Sequence, residues 1–305
     1  MALNVDQGVS SVVPQAWTHK TNPDEVLCDR WWRTGPDSFT VTACWPEAHS
    51  FYLTRHGLYD PLLLGETIRQ TLPLISHAAY DVPLGHQLMW HDFHWAVSTD
   101  ALAAGDASGE IELRVTCSDV TYRGSRAAAI TLRVEALHAG ASLGSARTRF
   151  GIQSRAVYER LRGRYADIGA ANARALPLPS PAPAVPVGRE NFDDVVLSSA
   201  DSANRWQLRI DTAHPVLFDH AVDHAPGMLL LEAARQAAHT LAHPKQTVVA
   251  AMDTVFSRYA ELDAPCWLQA DPLPDDLIGR ARVRVVGHQN DKDVFASVVT
   301  LATVD

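Results

Sequence analysis

Two stretches of the chain place a carboxylate and a guanidinium three positions apart, a few apolar residues after a proline. The first is Asp60-Pro61-Leu62-Leu63-Leu64-Gly65-Glu66-Thr67-Ile68-Arg69-Gln70, the second Ala225-Pro226-Gly227-Met228-Leu229-Leu230-Leu231-Glu232-Ala233-Ala234-Arg235-Gln236. Glu and Arg three positions apart share one face of a helix whose other positions are nearly all apolar. Burying both charges among leucines costs free energy unless each finds a partner or performs chemistry. A single pair of this kind reads as a structural ion pair contributing about 0.2–0.5 kcal/mol. Its recurrence in an apolar context turns the reading toward a site. Ahead of the second copy runs His214-Pro215-Val216-Leu217-Phe218-Asp219-His220-Ala221-Val222-Asp223-His224. His220 and His224, flanked by Asp219 and Asp223, suit either metal binding or capping of the loop. With no third ligand at a spacing such as His-Glu-x-x-His, neither a metal nor any other cofactor is expected. His214, before Pro215, reads as a structural loop residue.

The elements that must position these groups recur in the same order. Each half opens with a short apolar strand, Val26-Leu27 or Val195-Val196-Leu197, followed by a longer alternating one, 38–43 or 205–210. A loop beginning at His49 or His214 then leads to the helix, expected over about 62–78 and 228–241. Asp60 is placed to cap the first helix with Pro61 at its start, and Pro226-Gly227 opens the second with a backbone that a ligand can approach closely. After each helix the hydrophobic period changes from 3.6 to 2, which predicts three further strands: 87–97, 110–121 and 128–152, the last bending at His138-Ala139-Gly140, and 248–259, 266–270 and 280–303, with a break at 287–293. One long apolar helix wrapped by antiparallel strands is the pattern of a hot-dog unit, so the expected fold is α+β, a double hot dog. The expected division is a first unit over 1–165, an Ala/Pro-rich linker over 166–190 and a second unit over 191–305. Pro177, Pro179, Pro181, Pro183 and Pro186 forbid both helix and central strand in that linker.

Composition narrows the classes. A chain of 305 residues with 47% hydrophobic and 20% charged residues is an ordinary soluble globular protein. No apolar run approaches the ~20 residues of a membrane span, and Met-Ala-Leu-Asn-Val-Asp-Gln lacks the features of a signal peptide, so no membrane partner and a cytoplasmic location are expected. Cys28, Cys44, Cys117 and Cys266 show no Cys-x-x-Cys spacing and read as reduced core residues. Trp31, Trp32, Trp45, Trp90, Trp95 and Trp206 are expected in the core, with some lining an acyl pocket. A net charge of −9 argues against nucleic acid as a partner. Arg147, Arg149, Arg155, Arg160, Arg162 and Arg164 are the local exception: either a solvated face or a basic patch that steers an acidic partner.

The segment from Leu217 to Gln236 resembles the signature of β-hydroxyacyl-carrier-protein dehydratases, a Phe-x-His loop before Pro-Gly and a helical Glu-Ala-x-x-Gln. It resembles still more closely the AfsA family of γ-butyrolactone biosynthesis proteins, marked by Phe-Asp-His, Asp-His-x-Pro-Gly-Met and Glu-Ala-x-Arg-Gln. Arg30-Trp31-Trp32-Arg33-Thr34-Gly35-Pro36-Asp37, the stretch from Asp60 to Gln70, and Val82-Pro83-Leu84-Gly85-His86-Gln87 extend the resemblance over the first half. The resemblance implies an acyltransferase that joins a β-ketoacyl group, carried on acyl-carrier protein, to the hydroxyl of dihydroxyacetone phosphate. The ester then cyclises to a butenolide phosphate, precursor of a diffusible signal. It also implies that Glu66, Glu232 and Arg235 are functionally important, and that His220 occupies the dehydratases' catalytic position. The first half departs from the dehydratase pattern, with Leu53-Thr54-Arg55-His56 placing Arg55 where His220 would fall, so the two sites are not expected to be equivalent.

Such a reaction needs a base near the hydroxyl, donors for an oxyanion and a cation for the phosphate. Glu232 or His220 can be the base, N–H groups after Pro226-Gly227 suit negative charge, and Arg235 or Arg69 can grip phosphate. Arg55, His56, Asp219, His224 and Gly227 complete the expected substrate-binding set. In related hot-dog dimers histidine and carboxylate come from different units, which here would pair His220 with Glu66 and leave Glu232 facing Arg55 and His56. A homodimer is compatible with the sequence, which fixes no oligomeric state. The competing functions are a dehydratase or thioesterase acting on acyl-carrier-protein substrates, which would need no phosphate grip, and a non-catalytic acyl-binding regulator.

Overall fold

The structure, a computed structural model, describes residues 9–104 and 109–304. Residues 1–7, on which the expectation about a leader rests, lie outside the described residues. The chain divides into two compact units, Met1–Arg155 and Ala156–Asp305.

In the first unit an antiparallel sheet is built from β1 (Ser11–Val12), β2 (Cys28–Gly35), β3 (Ser38–Cys44), β4 (Gln87–Val97), β5 (Glu110–Arg123), β6 (Arg126–His138) and β7 (Ala141–Gln153). Their spatial order is β1-β2-β3-β5-β6-β7-β4. Helix α1 (Leu62–Tyr80) packs on β2, β4 and β6. Leu62, Leu63, Leu64, Ile68, Leu74 and Ile75 are fully buried along it. It begins where Asp60 Oδ1 accepts from the Leu62 N–H at 2.8 Å, and it continues through Pro73, which removes one helical hydrogen bond. It ends at Asp81 in the left-handed region, φ +51°.

The second unit holds α2 (Arg155–Arg162), which starts at the junction, then α3 (Ile168–Ala173) and α4 (Gly227–Ala242). Its strands are β8 (Leu197–Ser199), β9 (Arg205–Leu208), β10 (Thr247–Phe256), β11 (Trp267–Leu273), β12 (Ala281–Gln289) and β13 (Lys292–Thr303), in spatial order β10-β13-β12-β11-β9-β8. α4 packs on β8 and on β10 to β13, with Leu229, Leu231, Ala233 and Ala234 buried. Each unit is thus a hot dog, a sheet laid on one long apolar helix.

Two expected strands are each two strands. The stretch 128–152 is the hairpin β6–β7, turned by Ala139 at φ +48° and Gly140 at φ +78°. The stretch 280–303 is the hairpin β12–β13, turned by Asn290 and Asp291 at φ +51° and +58°. Two adjacent residues with positive φ make a tight hairpin turn, so what reads as a bend or break is a full reversal. Cys44 corrects a second expectation: it is exposed at the end of β3, whereas Cys28, Cys117 and Cys266 are buried, and all are free thiols. Trp45, Trp95 and Trp206 are core residues, while Trp31, Trp32 and Trp90 are half-buried.

The Ala/Pro-rich stretch folds as part of the second unit. Leu176 N–H donates to Leu262 O at 2.9 Å and Ala182 N–H to Leu197 O at 2.8 Å, while Arg209 Nε donates to Pro179 O at 2.8 Å. Ala182, Ala184 and Val187 are buried, and the stretch delivers Arg189 to the interior.

Candidate active site

The repeated Glu/Arg pair is one part of a larger wiring that occurs in both units. In the first, Glu66 is buried on α1 between two cations: Arg69 Nε lies 3.0 Å from both its oxygens, and Lys20 Nζ is 3.1 Å from Oε1. In the second, Glu232 is buried on α4 between Arg235, whose Nη2 is 2.5 Å from Oε2, and Arg189, whose Nε is 2.9 Å from Oε1. Burial raises the Glu66 carboxyl, but the charges of Arg69 and Lys20 and the hydrogen bonds from Arg69 and Gln70 outweigh it, holding the group at about 2. The arginines reach further out than their carboxylates, with side chains 21% exposed at Arg69 and 10% at Arg235 against 2% and 0% at Glu66 and Glu232.

The glutamine that closes each Glu-x-x-Arg-Gln ties the helix to the strand that follows the preceding loop. Gln70 Oε1 accepts from Leu27 N–H at 2.9 Å, while its Nε2 donates to Glu25 O at 2.8 Å and to Glu66 at 2.9 Å. Gln236 repeats this with Val196 N–H at 2.9 Å, Asp194 O at 2.8 Å and Glu232 at 2.6 Å. The loop histidines are equivalent too. His49 Nδ1 accepts from the N–H groups of Phe51 and Tyr52, and His214 Nδ1 from those of Val216 and Leu217. Their Nε2 atoms lie 3.5 Å from Glu25 and 3.6 Å from Asp194. A ring that accepts at Nδ1 carries its proton on Nε2, so both histidines turn an N–H toward those carboxylates and act as loop clamps.

Lys20, Arg189, Gln70 and Gln236 are absent from the expected site. Their signal lies in the repeat Lys20-Thr21-Asn22-Pro23-Asp24-Glu25-Val26 and Arg189-Glu190-Asn191-Phe192-Asp193-Asp194-Val195, a cation, then Asn, Asp, a second carboxylate and Val at fixed offsets.

The remaining expected residues fall on several elements of the two units. Arg55 and Leu58 exchange backbone hydrogen bonds of 3.0 and 2.8 Å around His56 and Gly57, both at positive φ, so Arg55 and His56 stand on a tight turn of the first unit. In the second unit His220 is 45% exposed, with Nδ1 3.2 Å from the buried Asp219 carboxylate. His224 Nδ1 lies 2.6 Å from Asp223. Gly227 is the first residue of α4, and no side chain caps that end. The arginine stretch is not uniformly exposed. Arg147 stands on β7, 3.6 Å from Asp92, whereas Arg160 and Arg164 are exposed in the second unit. Arg162 is buried, 3.0 Å from Asp223 and 2.6 Å from Glu261, and so cannot serve in a surface patch.

A model of the A-factor biosynthesis hotdog domain, AfsA, matches residues 1–153 and again 170–305. The chain belongs to the AfsA family. It is 44% identical over 291 residues, covering 95% of this chain and 98% of the relative, to a 2-oxo-3-(phosphooxy)propyl 3-oxoalkanoate synthase of Streptomyces virginiae. A synthase of the same name from Streptomyces coelicolor is 40% identical, covering 94% of this chain and 91% of that protein. Among solved structures the chain is similar to a 12:0-ACP thioesterase from Umbellularia californica, with a TM-score of 0.55 over 88% of this chain and 94% of that one at 10% identity. That likeness shows the hot-dog fold alone. The double match of the AfsA model agrees with the duplicated wiring, and no helix among the described residues is long and apolar enough to cross a membrane.

Proposed function

We propose that this AfsA-family protein is an acyltransferase that condenses a β-ketoacyl thioester with dihydroxyacetone phosphate. The observation that carries the reading is 44% identity along 95% of the chain to a protein whose name describes the ester of a 3-oxoalkanoate with a 2-oxo-3-(phosphooxy)propyl group. That ester is what results when the free hydroxyl of dihydroxyacetone phosphate takes the acyl group, and its cyclisation with loss of water gives a butenolide phosphate. Acyl-carrier protein as donor and a cytoplasmic location belong to the same reading.

In it, Arg235, or Arg69 in the first unit's copy of the pair, binds the phosphate, each planar fork held by the glutamate of its own helix, Glu232 or Glu66. Glu66, held at about 2, is a poor proton acceptor, and both carboxylates are engaged by two cations, so in this reading Glu66 and Glu232 act by fixing the arginines. The base then comes from the histidines of the loop before α4, with His220 the residue the dehydratase resemblance points to. The uncapped N–H groups at Gly227 and beyond suit the developing oxyanion. Asp219 contributes to substrate binding beside the loop histidines, and Arg55 and His56 are the corresponding candidates of the first unit.

Incubating the purified protein with a β-ketoacyl thioester and dihydroxyacetone phosphate is expected to give a phosphorylated ester or its butenolide by mass spectrometry, with equimolar free thiol. Product is expected to be lost with an unphosphorylated acceptor. Hydration of an enoyl thioester, or free acid released without acceptor, would replace this reading by the dehydratase or thioesterase.

A further inference from the structure

Behind the loop that carries His220 lies a buried polar cluster that the Glu/Arg wiring does not use. Asp223 turns its carboxylate inward, where Tyr158 Oη donates to its two oxygens at 2.7 and 2.8 Å and Arg162 Nε donates at 3.0 Å. Tyr158 and Arg162 are the buried residues of α2. Arg162 spends the rest of its fork on Glu261, at 2.6 and 2.8 Å, and lies flat over Tyr259, 4.0 Å from the ring centroid. Next along the chain, His224 presents Nδ1 to Asp223 at 2.6 Å, and its ring packs edge-on against Tyr259 with centroids 4.5 Å apart. Its backbone is bridged to Glu261, and Ala225 N–H donates to Ala260 O at 2.9 Å. The ring is therefore fixed from the loop, from α2 and from the segment after β10.

The chemistry of this arrangement is specific. Burial raises the Asp223 carboxyl, but the hydrogen bond and charge of His224, the Tyr158 hydroxyl and Arg162 reverse this and hold it well below the carboxylate range. Burial and the Asp223 carboxylate together push the Tyr158 hydroxyl far above its ordinary value, and Tyr259 is raised to about 12, burial first, so neither phenol competes as an acid. An ionised carboxylate only accepts, so Nδ1 of His224 must donate to it, which leaves the lone pair of the neutral ring on Nε2. That side chain is 25% exposed, and Nε2 has no hydrogen-bond partner among the described residues. A buried carboxylate on one ring nitrogen and an open lone pair on the other is the layout of an oriented general base. The first unit has no equivalent pair at this place: counted back from Pro61 and Pro226, Asp223-His224 fall on Leu58-Tyr59, and counted back from Glu66 and Glu232 they fall on Gly57-Leu58.

We infer that His224 is the proton-transferring imidazole of the reaction, that Asp223 orients it, and that Tyr158 and Arg162 are positioning residues, which makes the second unit the seat of the chemistry. The inference rests on the acyl-transfer reading given above. His224 Nε2 takes the proton of the acceptor hydroxyl as that oxygen attacks the thioester carbonyl. The tetrahedral oxyanion collapses, the C–S bond breaks, and the imidazolium returns the proton to the departing thiolate. Alcohol and thioester become ester and thiol, with no other reactant.

The test compares the parent, His224→Gln, His224→Gly, His220→Gln and Arg162→Lys in the ester-forming assay across pH, with folding followed by circular dichroism. His224→Gln retains an N–H for Asp223, so the fold is expected to persist while kcat falls about 100-fold or more with the thioester KM little changed. His224→Gly is expected to regain rate with added imidazole. Arg162→Lys keeps the charge but loses the fork, so it should lower kcat about tenfold without imidazole rescue, and the acid limb of the parent pH profile should disappear in His224→Gln. Parental turnover by a folded His224→Gln, or loss confined to His220→Gln, would overturn the assignment while leaving the acyl-transfer reading standing. A parent that forms no ester would overturn both.

Discussion

Arg189 Nε lies 2.9 Å from Glu232 Oε1, and the two residues stand forty-three positions apart in the chain, Arg189 directly after a proline-rich segment. With Arg235 on the other oxygen, the buried carboxylate is shared by one cation from its own helix and one delivered from elsewhere. Lys20 and Arg69 make the same division around Glu66.

Removing the distant cation therefore leaves a buried carboxylate with half its compensation. Arg189→Met is expected to lower unfolding stability by about 3–5 kcal/mol, the cost of breaking a buried pair. Glu232→Gln should show a similar loss, together with loss of most turnover, because Arg189 and Arg235 then repel one another. Urea titration of the two single variants and the double variant checks this, and additive losses would show that the residues are not coupled.

Acid sensitivity follows from Glu66. Its folded-state value of about 2 lies below the ordinary 4.5, so the unfolded chain binds more protons between those values. The stability it contributes is fully present above about 4.5 and is lost as pH falls toward 2. Asp194 and Asp223, also lowered, add with the same sign. Urea midpoints of the parent should fall between about pH 6 and pH 3, more steeply than those of Glu66→Gln. Parallel slopes would contradict a depressed Glu66.

Gln236→Leu removes the acceptor for Val196 N–H and a donor to Glu232. The stranded N–H should cost about 1–3 kcal/mol, visible as a shift in the denaturation midpoint. An unchanged midpoint would mean that the tie between α4 and the start of β8 contributes nothing.

Arg235→Lys keeps the charge without the planar fork. Its KM for dihydroxyacetone phosphate is expected to rise by about tenfold or more, with the thioester KM nearly unaltered. Equal losses for both substrates would favour a purely structural pair with Glu232.

The arginine stretch divides in the same kind of test. Arg160→Glu, on an exposed position, should leave the melting temperature unchanged and raise the KM for an acyl-carrier-protein donor in a salt-dependent way. Arg162→Glu would face Asp223 and Glu261 and should fail to fold. A melting temperature for Arg162→Glu equal to the parent's would remove the buried cluster from the account.

The helices, their caps and the duplication are legible in the sequence because each rests on a local signal: an apolar stripe, a proline, a Glu-x-x-Arg-Gln. The hairpin turns at Ala139-Gly140 and Asn290-Asp291 are less legible, since strong β patterns on both sides mask a two-residue reversal. Lys20 and Arg189 are not legible, because a buried ion pair over more than forty residues leaves no periodicity, only a faint second repeat. Arg162 misled for the opposite reason: sequence neighbours of like charge suggest a surface, whereas its partners Asp223 and Glu261 lie sixty or more positions away. The motif ranks His224 behind His220 because it records which residues occur, not which carboxylate is turned inward to hold a ring.

The proline-rich stretch sets a boundary for anyone who would take the molecule apart. Because it buries Ala182 and Val187, gives Pro179 O to Arg209 and ends by handing Arg189 to Glu232, exchanging it for a Gly/Ser tether would strip the second half of a counter-charge. A half-molecule begun at 191 would inherit the same deficit. Shuffling the two halves among relatives should succeed only where the crossover lies upstream of this stretch, so that the C-terminal fragment carries its own cation with it.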